Sequence, residues 1–338
     1  RRARDDAPPP GLWVGRAGVA FALAQVVARP PSPSLTSWLA GWVADGAGGE
    51  HDLVSGAAGI GALALELGAD PRADELLEAV VRTLAASAEP RDGGLAWATP
   101  PQRADAELGR FDLGVAHGAA GVVGVLAGAL ATERPPPRTR ELLEGAIAFL
   151  LAQRLPGAPR EGCLPYAVGG ARDREPARLA WCYGDASAAV ALLLAARALG
   201  AAAIARAARE LAARAAARPA TTAGVVDAGL CHGAAGLAQL FGRLWQLTDE
   251  EHCATAGRAW LARTLALHEP ASAGRSVGGF AAMVTPQEGG AQERRPVAGL
   301  LTGAAGVALA LLAACRDEDP SWDRALLASP APASAGRW

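Results

Sequence analysis

The chain contains no lysine, so all 32 of its Lys/Arg cations are arginine, a bias read here as genome composition without functional meaning. Formal charge is −2 and no segment concentrates arginine, which excludes the basic footprint of a nucleic-acid-binding protein. Cysteine is scarce: five residues, an odd number, with no C-x-x-C pair among them. That excludes a disulfide framework and fits a reducing cytoplasm, where a thiol packs or binds metal. No apolar h-region follows RRARDDAPPP, so a signal peptide is not expected. Aromatics make up only 5% of the chain, and a large core must therefore be filled by alanine, leucine and glycine, which let helices approach closely.

What the chain does have is repetition. Six copies of one phrase, a glycine and a second small residue followed by an apolar run, read GLWVGRAGVAFAL, DLVSGAAGIGALAL, LGVAHGAAGVVGVL, AWCYGDASAAVALLL, GLCHGAAGLAQLF and GLLTGAAGVALALL. Their first glycines are Gly15, Gly56, Gly118, Gly184, Gly233 and Gly303. Each phrase predicts an inner helix. Between them, stretches such as ADELLEAVVRTLAASA place Leu76, Leu77, Val80, Val81 and Leu84 at helical spacing, and similar patterns start at Thr139, Ala203 and Glu251. The alternation predicts a double-layered, all-α ring, with inner helices buried all round and outer helices wet on one side. Segment 113–132 is long enough to span a bilayer, but its repeat mates carry Arg16, Asp185 and Gln239, so a buried helix is expected and no membrane span. The chain is expected to form one domain over 1–338, with mobile ends at 1–10 and 329–338. Uneven repeat spacing falls in Pro/Gly-rich loops at 89–110, 156–177 and 268–296.

In a closed ring, the residues just before each first glycine converge on one cavity. Two repeats carry metal-ligand chemistry there, Cys182-Tyr183 and Cys231-His232, and a third carries Ala116-His117. Two thiolates and an imidazole suit a zinc site with an open fourth position. From spacing alone, buried structural cysteines are the competing reading.

WCYGDAS together with CHGAAGLA, preceded by AHGAAG and followed by GLLTGAAGVALALL, resembles the lanthipeptide (lantibiotic) cyclases of the LanC type over nearly the whole chain. The resemblance implies an α/α toroid and a Michael-type addition. A cysteine thiol of a dehydrated precursor peptide adds to dehydroalanine or dehydrobutyrine, closing a thioether ring. It further implies one zinc per chain on Cys182, Cys231 and His232, an active-site histidine at His117, and functional partners at Asp52 and Arg178. Trp181 and Tyr183 would wall the peptide site. A dehydratase and a transporter are the implied partners, with a cytoplasmic location, peripheral to a membrane-associated complex. The fourth phrase departs from the pattern, with Ser187 at the second glycine.

Two other functions are compatible with these residues: addition of glutathione or another small thiol to dehydroamino acids, and a non-enzymatic scaffold. Elsewhere, His252-Cys253 is read as part of an outer helix, Cys163 as a loop or core thiol, Cys315 as packing, and His51 as a solvated neighbour of Asp52.

Overall fold

The computed structural model describes residues 9–27, 30–46, 50–68, 70–100, 109–156, 162–170, 173–269, 275–285 and 290–330. Every glycine phrase opens a helix: α1 (Arg16–Val27), α3 (Ala57–Leu67), α5 (Ala119–Leu130), α7 (Asp185–Leu199), α9 (Ala234–Thr248) and α11 (Ala304–Ala314). The helices between them form an outer layer: α4 (Pro71–Ser87), α6 (Thr139–Ala152), α8 (Ala202–Ala217) and α10 (Glu251–Ala266) each pack on the inner helix before them, and α2 (Pro33–Ala44) packs on α4. The result is an all-α toroid. Strands are confined to three two-stranded antiparallel pairs: β1 (Glu89–Arg91) with β2 (Gly94–Ala96), β3 (Phe111–Asp112) with β4 (Ala167–Val168), and β5 (Ala282–Val284) with β6 (Glu293–Arg295).

The phrase works as a backbone cap. Glycine has no side chain to satisfy the first helical amides. Instead the loop folds back, and each amide donates to a carbonyl seven residues earlier: Arg16 to Pro9 at 2.9 Å, Ala57 to Glu50 at 3.0 Å, Ala120 to Leu113 at 3.2 Å, Ala234 to Asp227 at 2.9 Å and Ala304 to Val297 at 2.9 Å. The second glycine is needed for the same fold-back. A Cβ there would lie 1.9 Å from the Leu12 oxygen at Gly18 and 1.9 Å from the Leu230 oxygen at Gly236. The fourth loop solves the problem differently. Gly184 adopts φ 99°, which L side chains rarely tolerate, and Ser187 then fits, donating its hydroxyl to the Gly184 oxygen at 3.3 Å.

The outer helices follow their patterns. α4 is capped by Asp70, whose carboxylate accepts the Arg72 amide at 3.0 Å, and buries Leu76, Leu77, Val80, Val81 and Leu84. The inner layer differs from expectation at its ends. α3, α5 and α7 are buried almost all round, but α1 exposes Val19, Leu23, Val26 and Val27, and α11 exposes Leu312. α1 and α11 are the first and last of the series, and among the inner helices they pack chiefly on α3 and on α9 respectively. A 3-10 helix, Ser321–Leu326, packs against α1 and α3, and Leu327 lies against Gly124 of α5. Its Asp323 is fully buried, accepting from Gln239 Nε2 at 2.7 Å and Arg243 Nε at 2.6 Å.

No helix among the described residues is long and apolar enough to cross a membrane, and α5 covers only 119–130 of the stretch tested above. Of the ends expected to be mobile, 1–8 and 331–338 lie outside the described residues. Pro9 and Pro10 accept helix amides, and Ser329 donates to Asp323 at 2.6 Å.

Candidate metal centre and proton-transfer pair

A relay of main-chain hydrogen bonds joins the six pre-glycine loops in order. Trp13 N donates to Val54 O at 3.0 Å, Leu53 N to Ala116 O at 3.1 Å, Ala116 N to Cys182 O at 3.2 Å, Cys182 N to Cys231 O at 3.2 Å, and Cys231 N to Leu301 O at 2.7 Å. Repeats separated by dozens of residues are thereby placed in one register around a common centre. The side chains of neighbouring links follow.

At the link between the fourth and fifth repeats, the ligand atoms of Cys182, Cys231 and His232 lie within 4.8 Å of one another. Cys182 is buried, while Cys231 and His232 are half-buried. The mutual interaction of the two close thiols favours the Cys182 thiolate and pushes Cys231 up; His232 and Arg178 further favour the Cys182 thiolate. Two soft sulfurs, one imidazole and partial exposure fit a zinc ion with room for a fourth ligand.

Two links away, between the second and third repeats, His117 Nδ1 lies 2.7 Å from Asp52 Oδ2. Asp52 is 4% exposed, so the bland reading of it as a surface loop charge does not hold. Its other oxygen accepts the amides of Ser55 at 2.8 Å and Gly56 at 3.0 Å. Burial raises the carboxyl's pKa, but the bonds from His117 and Ser55 outweigh it and hold Asp52 below the usual carboxylate range. His117 remains partly open, with its side chain 23% exposed.

Arg178 sits beside the cysteines, close enough to favour both thiolates. Its Nε is buried and makes no hydrogen bond among the described residues. Its backbone amide donates to Tyr166 Oη at 3.2 Å, and its Cβ packs under Gly224, where an added Cβ would come within 2.8 Å. Tyr183 meets Tyr166 edge-on at 5.3 Å and donates its hydroxyl to Asp112 Oδ1 at 3.0 Å. Trp181 is fully buried instead of lining an open wall: its indole N–H donates to Leu326 O at 2.8 Å, and Trp13 packs on it edge-on at 5.6 Å.

Sequence reasoning missed Asp112. This buried carboxylate in β3 also accepts from Thr99 Oγ1 and Arg110 Nη2, each at 2.8 Å, and its one sequence signal is the register it shares with Asp227, six residues before a first glycine. His51 was expected in solvent and is buried, 3% exposed. Cys315 was expected in packing and is exposed. A second close grouping, Glu250, His252 and Cys253, opens α10. There Glu250 is already held by Arg209 at 2.7 Å and by His252 at 3.1 Å, while burial raises the Cys253 thiol, so ion pairing accounts for it. Cys163 is a core thiol, its sulfur 3.4 Å from Arg214 Nη1.

A family model described as "Lanthionine synthetase C-like protein" matches residues 2–327. Among solved structures, the chain is similar to one named "Nisin cyclase", with a TM-score of 0.72 at 19% identity, covering 96% of this chain and 82% of that one. An unsaturated glucuronyl hydrolase from Bacillus sp. GL1 is more distant, with a TM-score of 0.47 at 14% identity over 78% of this chain and 76% of the other. No curated protein matches the chain. With the family model spanning nearly its entire length and the toroid shared, the chain belongs to the lanthionine synthetase C-like family.

Proposed function

We propose that the chain is a zinc-dependent cyclase that closes lanthionine and methyllanthionine rings in a dehydrated precursor peptide. The observation that carries this reading is the placement, on two links of one hydrogen-bonded relay, of a Cys/Cys/His cluster and a separate Asp–His pair. Cys182, Cys231 and His232 would hold the zinc, which when bound supplies Lewis acidity that favours the thiolate of a substrate cysteine near neutral pH.

The chain's own groups account for the rest. The new S–C bond forms at the β-carbon of the dehydro residue, its π pair moves onto the carbonyl as an enolate, and the α-carbon then takes a proton. Asp52 holds Nδ1 of His117, leaving Nε2 to deliver that proton, and its carboxylate stabilises the imidazolium that does so. The buried Arg178 Nε, without a partner among the described residues, is a donor for the enolate oxygen. Tyr183 shapes the peptide side of the cavity. No atoms are lost, so the product has the mass of the substrate.

Incubation with a peptide containing both dehydroalanine and free cysteine tests the reading. The zinc-loaded protein is expected to protect the cysteine from alkylation, and the chelated protein to leave it reactive. Equal alkylation in both samples would refute it.

A further inference from the structure

The ring of Tyr183 joins the loops of the two chemical centres. Its chain neighbour is Cys182 of the metal cluster. The ring itself lies on Gly114, in the phrase that carries His117, where an added Cβ would come within 2.5 Å of Tyr183 Cδ1. Tyr166 meets it edge-on, and the Tyr166 main chain is tied to the same phrase, accepting the Leu113 amide at 3.0 Å. Packing places the ring, and Asp112 holds its outer end: Oδ1 accepts the Tyr183 hydroxyl at 3.0 Å.

Asp112 is itself locked. Its side chain is fully buried in β3. Thr99 binds it twice, donating its hydroxyl to Oδ2 at 2.8 Å and accepting the Asp112 amide at 3.2 Å. Arg110 Nη2 donates to Oδ1 at 2.8 Å. A carboxylate fixed in this way is a rigid acceptor. The fifth repeat uses the same register for anchoring, where Asp227 accepts the amides of Gly229 at 3.1 Å and Met283 at 2.9 Å. The third and fourth loops are already joined through their main chains, from Ala116 N to Cys182 O at 3.2 Å. Their pairing therefore does not depend on the Tyr183–Asp112 bond. The position of the phenol does.

We propose that Asp112 is a positioning residue for peptide binding: it fixes the Tyr183 phenol as a rigid wall between the Cys182 and His117 loops, against which the dehydrated peptide lies. The proposal rests on the cyclase reading. Asp112 bonds to Thr99, Arg110 and Tyr183, so it reaches the cavity through Tyr183. A wall that touches the peptide equally before and during reaction contributes uniform binding, and its loss raises KM at constant kcat.

Three variants test this with a peptide bearing dehydroalanine and one free cysteine. Asp112→Asn keeps an acceptor for the hydroxyl, Asp112→Ala removes it, and Tyr183→Phe removes the donor while leaving the carboxylate its Thr99 and Arg110 partners. KM is expected to rise about tenfold in Asp112→Ala and in Tyr183→Phe, with kcat within about twofold of the parent and zinc content unchanged. Asp112→Asn is expected to restore KM toward the parental value. In the Tyr183→Phe background, Asp112→Ala is expected to raise KM no further. Tyr166 and Tyr183 are the chain's two tyrosines, so ¹³Cζ-tyrosine labelling gives two signals that Tyr183→Phe assigns. In mixed H₂O and D₂O a slowly exchanging hydroxyl splits its Cζ signal. A split Tyr183 signal is expected in the parent and in Asp112→Asn, and a single one in Asp112→Ala. A Tyr183 signal that is the same in Asp112→Ala as in the parent overturns the proposal. So does a fall in kcat at unchanged KM, or an equal rise in KM with and without the Tyr183 hydroxyl. A parental KM in Tyr183→Phe overturns it whether or not Asp112→Ala folds. A parent protein that binds the peptide but closes no ring refutes the proposed reaction alone, and peptide affinity then replaces KM in the comparison. A parent that binds no peptide refutes both.

Discussion

Asp52 and His117 stand 65 residues apart in sequence, yet Oδ2 of the first lies 2.7 Å from Nδ1 of the second. The Leu53–Ala116 hydrogen bond draws the two loops together, so the proton-transfer pair is a by-product of the ring's architecture. The cysteine pair arises the same way, two links on, through the main-chain bond from Cys182 to Cys231.

His117→Asn is expected to keep zinc and lose ring closure by about 10²-fold or more, because asparagine can accept and donate hydrogen bonds but cannot exchange a proton near neutral pH. Zinc content and peptide thiol loss, read on one preparation, check this. Near-parental closure with zinc retained would remove His117 from the reaction.

Cys182→Ala combined with Cys231→Ala is expected to abolish zinc binding while leaving far-ultraviolet helicity close to parental, since neither residue lies within a helix. Elemental analysis of the double variant decides: a full equivalent of zinc would show that the metal sits elsewhere, with Glu250, His252 and Cys253 the first place to look.

Acid is expected to destabilise the fold through His51. Burial lowers its pKa from 6.5 to about 4, so between those values the unfolded chain binds a proton that the native chain does not. Stability contributed in this way is complete above about pH 6.5 and falls as pH drops through the window, by about 3 kcal/mol at its acid end. Urea unfolding at pH 7.5 and 4.5 measures it. His51→Gln, which does not titrate, is expected to show a correspondingly smaller difference, and an identical pH dependence in both proteins would contradict the assignment.

The 3-10 helix Ser321–Leu326 is tied to α9 by a buried ion pair, Asp323 with Arg243. Asp323→Ala leaves Arg243 largely buried, with Asp319, at 2.5 Å, as its one charged partner among the described residues, and is expected to cost about 3 kcal/mol, the lower end of the range for breaking a buried pair. A shift in the urea midpoint worth less than 1 kcal/mol would show that Asp323 is dispensable.

Much of this was legible in the chain because its information is periodic. Six phrases in one register announce six inner helices, and amphipathic spacing announces α4, α6, α8 and α10. The same register places Cys182, Cys231 and His232 at matching steps of adjacent repeats. Single contacts were not legible. His51 and Asp52 are neighbours in a loop, and nothing in their spacing says that both are buried against the third repeat. Asp112 shares its register with Asp227, each six residues before a first glycine, but its hold on Tyr183 appears only in the fold. The exposed apolar residues of α1 look like those of any inner helix until its place at the end of the series is known. Ser187 breaks the pattern for a backbone reason, the positive φ of Gly184, that composition does not carry.

The most direct measurement is a competition. The zinc-loaded protein is given a dehydrated peptide bearing one free cysteine, together with excess glutathione, and the product is weighed and alkylated. An intramolecular cyclase gives a product of unchanged mass that no longer reacts with the alkylating agent. A product heavier by one glutathione, with its cysteine still reactive, would contradict ring closure and assign the site to intermolecular thiol addition.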